Sequence, residues 1–118
     1  MYIIPNTFDP KSLIGEILVM ICFNSNQITL HFETSTMITF EGEFIIEVNN
    51  IEKLHNVYPL GDDKGLLAFI ETEIKDSYTD EARKNLKIKF SNNSNLILVG
   101  NDEYESYMIN KDGAKIIV

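Results

Sequence analysis

The chain has 118 residues, of which 18 are Asp or Glu and 10 are Lys or Arg, giving a formal net charge of -8. That field repels a phosphate backbone and attracts a basic partner, so it speaks against direct nucleic-acid binding; it also serves simply to keep a small protein soluble. A single cysteine, Cys22, excludes an internal disulfide framework and a cysteine metal cluster.

Length predicts one domain over residues 1–118, with a folded surface of roughly 6,500 Å² and about two-thirds of the extended chain's surface buried. The opening MYIIPNTFDPK lacks a basic stretch followed by an apolar one, and no apolar run reaches the roughly 18 residues of a membrane helix. The cytoplasm is therefore the expected compartment.

Residues 1–13 carry Pro5, Asn6, Asp9 and Pro10 and read as an irregular lead-in, with an edge strand available at residues 2–4 and a helical turn at 12–15. Ile17 to Phe23 is seven apolar residues in a row and reads as a strand buried on both faces, with Cys22 as a small buried hydrophobe. After the turn Asn24-Ser25-Asn26 the pattern alternates. Ile28, Leu30, Phe32, Ile38 and Phe40 point inward, whereas Thr29, His31, Glu33, Met37, Thr39 and Glu41 point outward. Gly42 breaks the strand, and Phe44, Ile46 and Val48 then alternate with Glu43, Ile45 and Glu47.

Residues 51–65 contain Pro59, Gly61 and Gly65 and read as a crossing loop with a short extended piece at 55–58. Residues 64–70 read as starting with a short helix capped by Asp62 or Asp63, and 69–75 read as a strand. Residues 79–84, with a cap residue, early acids and late bases, suit one helical turn. An echo follows: Leu86, Ile88, Phe90, Leu96 and Leu98 stand 58 positions after Ile28, Leu30, Phe32, Ile38 and Phe40, and Gly100 matches Gly42. This self-similarity predicts a mainly β fold in which an antiparallel meander is duplicated. The two pseudo-symmetric halves, at about 13–50 and 66–109, form a sandwich or partly open barrel with one or two short helices. Asp112-Gly113 is a hairpin turn before a last strand at 114–118.

Two surface clusters are candidate partner-binding sites. Glu33, Glu41, Glu43 and Glu47 collect on one outward face, where their mutual repulsion favours a cationic partner; charge on strand edges also guards against aggregation. Asp102, Glu103, Tyr104, Glu105 and Tyr107 combine carboxylates with aromatic contact area, or else form a strand whose tyrosines pack on the core. His31 and His55 have no second ligand at metal-site spacing, so no metal and no cofactor are expected, and no phosphate loop or nucleophile motif is present. The chain is expected not to be an enzyme.

The string DEYESYMI followed by a turn and KIIV, the opening Leu13-Ile14-Gly15, and the paired hairpins 28–40 and 86–98 resemble a bacterial family of small acidic β proteins. Some of its members look like immunity proteins encoded beside polymorphic or contact-dependent growth-inhibition toxins. The resemblance implies a cytoplasmic immunity protein that occludes the active site of a basic, nuclease-type toxin domain. The other expectation is a non-catalytic small-ligand-binding or homodimeric β module. A cavity between the halves, lined by residues such as Met20, Phe23 and Phe69, would mark that second case.

Overall fold

The apolar alternation becomes ten antiparallel strands in two sheets among residues 3–118, the residues that the computed structural model describes. In chain order they are β1 (Leu18–Phe23), β2 (Ile28–Phe32), β3 (Met37–Phe40), β4 (Glu43–Val48), β5 (Ile51–Asn56), β6 (Ile74–Thr79), β7 (Leu86–Phe90), β8 (Ser94–Leu98), β9 (Tyr107–Lys111) and β10 (Ala114–Ile117). One sheet runs β1-β2-β3-β9-β10 and the other β5-β4-β8-β7-β6. Their inner faces share one core, in which Phe40, Phe44, Phe69, Leu30, Ile38, Leu86 and Leu98 are fully buried. The accessible surface is 6429 Å².

The echo is a pseudo-two-fold with exchanged hairpins. Ile28 faces Phe40 across β2–β3 as Leu86 faces Leu98 across β7–β8. Each half then sends its last two strands to the other sheet: β9 pairs with β3, Phe40 opposite Tyr107, and β4 pairs with β8, Leu98 opposite Phe44. On the axis the backbone bonds are reciprocal. Gly15 N donates to Ile74 O (2.9 Å) and Glu71 N to Leu18 O (2.7 Å); Leu18 N donates to Thr72 O (3.0 Å) and Ile74 N to Glu16 O (2.8 Å). Both outer pairs carry the same bulge, at Leu18/Met20 and at Ile74/Asp76.

Several expectations are corrected. The crossing loop does not begin at residue 51, because 51–56 form β5 against β4 around an Asn49-Asn50 turn, both residues in the left-handed region. Each half therefore ends in one more strand than the boundaries 13–50 and 66–109 allow. Residues 79–84 form no helix: Thr79 ends β6, and Asp80 Oδ1 accepts the amides of Lys84 (2.9 Å) and Asn85 (3.2 Å), a side-chain turn that competes with helix. The helical pieces are 3₁₀ turns at Pro10–Leu13 and Leu66–Phe69, and β6 starts only at Ile74. β1 is an edge strand, not a strand buried on both faces; Val19, Met20 and Cys22 are exposed. An apolar run records which residues favour burial, not whether another layer covers both sides. Ile3 and Ile4 are not in a strand, and Tyr2 lies outside the described residues.

Candidate functional site

Exchange of the hairpins breaks up the expected glutamate row. Glu33 and Glu41 lie just past the ends of β2 and β3 in one sheet, whereas Glu43 and Glu47 belong to β4 in the other. Because Ile28 pairs with Phe40, Glu41 sits at the start of β2, where Gln27 Nε2 donates to its Oε2 (3.3 Å), and Glu33 lies past the opposite end of β2. Glu47 is already engaged. It accepts from Asn95 Nδ2 (2.5 Å) and pairs with Lys87 Nζ (3.3 Å), and these hydrogen bonds hold its carboxyl below the ordinary value. Lys87 of the second half therefore faces Glu47 of the first across one sheet.

The second cluster also divides. Tyr107 is 3% exposed, the first residue of β9, and its hydroxyl donates to Lys84 O (2.6 Å). Burial, and after it the Asp80 charge, push its pKa up. Tyr107 is thus a core tyrosine with a satisfied hydroxyl. Tyr107→Phe is expected to cost about 1 kcal/mol of stability in a urea titration, because Lys84 O loses its donor while packing is kept. Asp102 pairs with Lys84, and Glu105 and Tyr104 stand exposed.

What the fold assembles instead is a groove at the two crossovers. Leu98 stands 58 positions after Phe40, but Tyr107 stands 63 after Phe44, so the second crossover carries five extra residues, 101–105. The first crosses in one step at Gly42. The two run side by side, with Glu41 N donating to Ser106 O (3.0 Å) and Val99 N to Glu43 O (3.2 Å). Between them and the segment after β5 lies a groove of about 340 Å³. Glu41 and Glu43 flank Gly42 on one wall, Tyr104 comes from the insert, and Asn56 and Tyr58 close the other side. Tyr58 is 68% exposed and Tyr104 58%. Two residues of the first expected cluster and one of the second are therefore brought together, joined by Tyr58, which sequence reasoning passed over in a loop with no periodicity to mark it.

Among the described residues no groove is lined by Met20, Phe23 and Phe69 together. Phe69 packs edge-on against Phe90 inside the core, Phe23 leans on the core from its rim, and Met20 faces out. The outer face of the first sheet carries Met20, Met37 and Met108 around a Thr29–Thr39 hydroxyl pair (3.1 Å), with Glu33 and Glu41 only at its ends. Among the described residues no three His, Cys, Asp or Glu side chains are grouped to hold a metal ion, and no helix is long and apolar enough to cross a membrane.

Comparison with known proteins was negative throughout: no family model, no curated protein and no solved structure matched the chain. Any function must therefore be argued from the site's own chemistry. The crossover groove offers two carboxylates that no lysine or arginine neutralises within 4 Å among the described residues, beside two exposed aromatic rings. Carboxylates attract a cation and ring faces stack on it, which suits a Lys or Arg side chain.

Proposed function

We propose that the protein is a non-catalytic binding module for a basic protein partner, and that this partner is a nuclease-type toxin domain whose active site it covers as an immunity protein. The observation that carries this reading is that Glu41 and Glu43 line one groove with the exposed rings of Tyr58 and Tyr104. A nuclease site is built to receive phosphate charge, and a pair of carboxylates set among aromatic anchors offers it a competing anion. The net charge of -8 adds long-range attraction to the same kind of surface.

The test is binding to a basic toxin domain encoded immediately upstream. The reading expects a complex whose association slows roughly tenfold at low salt in Glu41→Lys/Glu43→Lys, with the difference shrinking as salt rises. Absence of any complex at micromolar concentration and low salt overturns the immunity reading. A complex with an unchanged association rate overturns the groove as its contact surface.

A further inference from the structure

The pseudo-symmetry fails at one place in a way that leaves a second site. β5 and β10 are equivalent edge strands, each the outer member of a hairpin. In the β10 copy the inward positions are apolar: Ile116 packs against the core, and Val118 is fully buried just beyond the strand. The equivalent positions 63 residues earlier are Lys53 and His55. The register sets His55 opposite Phe44, Lys53 opposite Ile46 and Ile51 opposite Val48, so these side chains share the face that turns toward the core. Ile51 and Lys53 are exposed there, and His55 is half-buried.

Together with residues 62–65 they bound a groove of about 690 Å³, within the size range of small-ligand sites. Its floor is apolar, formed by Ile46, Val48 and Ile51, and its rim is basic, with Lys53, Lys64 and His55 against one carboxylate, Asp62. Among the described residues neither lysine has a carboxylate within 4 Å, and Lys64 Nζ donates only to Pro59 O (2.9 Å). Lys89 and Lys115 are likewise without a carboxylate within 4 Å among these residues, but Lys53 and Lys64 stand together over an apolar floor. His55 stacks on Phe44 at 5.2 Å, and burial, then Lys53, then Lys64 hold its pKa below the ordinary value while Asp62 opposes them.

We propose that this groove binds a small amphipathic carboxylate, its apolar chain lying over Ile46, Val48 and Ile51 and its head between Lys53 and Lys64. The floor offers nothing to a strongly hydrated anion such as phosphate, and the paired ammonium groups disfavour a cationic head. The site shares no lining residue with the crossover groove, so it stands whether or not the protein binds a toxin.

Decanoate, kept below its micelle threshold, is the probe, and the His55 imidazole followed by NMR is the readout. A saturable shift is expected, with the His55 titration midpoint moving up as the bound anion offsets the lysines. The variant Lys53→Ala/Lys64→Ala, which alters two side chains outside the core, is expected to keep its thermal unfolding and to bind at least about tenfold more weakly. Acetate and decyltrimethylammonium are expected to give no saturable shift, since each lacks one half of the required chemistry. The proposal is overturned if decanoate gives no saturable shift, if decyltrimethylammonium matches it, or if the double variant binds as tightly as the parent.

Discussion

Gly100→Ala is expected to lower stability by about 2–3 kcal/mol, while Gly42→Ala, at the equivalent position of the other half, is expected to change it by less than about 0.5 kcal/mol. A Cβ on Gly100 would lie 2.5 Å from Lys84 O and 3.1 Å from both Lys84 C and Cβ, so the clash is with backbone. That backbone is not free to retreat. Lys84 O is held by the Tyr107 hydroxyl at 2.6 Å, and Gly100 N donates to Asn85 Oδ1 at 3.0 Å. Relief of the clash therefore costs hydrogen bonds as well as packing. At Gly42 the nearest atom is Ser106 Cβ at 3.6 Å, an ordinary contact. The pair separates a real difference between the two crossovers from a general intolerance of substitution. Thermal melts should show Gly100→Ala lower by about 10 °C and Gly42→Ala close to the parent. Equal losses in both would contradict the packing described here.

Glu16→Ala is expected to cost about 3 kcal/mol at neutral pH, the scale of breaking a buried ion pair. Glu16 is 6% exposed and ties the segment before β1 to two parts of the first sheet: it accepts from Thr36 Oγ1 (2.6 Å) and Thr34 Oγ1 (2.8 Å) in the β2–β3 hairpin, and from Lys111 Nζ (2.9 Å) at the end of β9. Burial pushes its pKa up, but the hydrogen bonds from Thr36, Lys111 and Thr34 outweigh that and leave it below the ordinary 4.5. As pH falls, the unfolded chain therefore takes up this proton before the native state does. The stabilisation is complete above about pH 4.5 and disappears as pH falls through the lower native value. Glu16→Gln keeps the shape and removes the charge, so its denaturant midpoint should lie below the parent's at neutral pH and approach it in acid. Curves that stay parallel down to about pH 3 would show that the carboxylate charge contributes nothing.

Much of the fold can be read along the chain because its signals are local. Ile28, Leu30, Phe32 and their counterparts Leu86, Ile88 and Phe90 alternate with polar residues, and all six are buried. The matching glycines, Gly42 and Gly100, mark where each half changes sheet. What the chain conceals is cover. Ile17 to Phe23 looks like a central strand, yet β1 is an edge; residues 51–56 look like a loop because Glu52, Lys53, His55 and Asn56 are polar, yet they pair throughout with β4. Glu16 gives no warning of its burial, because its partners are 18 to 95 residues away. The expected binding clusters fared likewise: Tyr107 went to the core, Glu47 to Lys87, and Glu41, Glu43 and Tyr104 to one groove with Tyr58.

Sequence by itself determined the strand faces, the duplication and the excess of negative charge, since each of these is a property of spacing or count. Tertiary structure alone decided which strands became neighbours. A period of two fixes the face on which a side chain stands, but the pairing partner follows from burying the most apolar area across distant segments, and here that meant exchanging the last hairpin of each half. The exchange put Glu47 beside Lys87, left the outer face of the first sheet to methionine and threonine, and set Glu41 and Glu43 beside two tyrosines from other loops. The chemistry available to a partner is a consequence of that exchange.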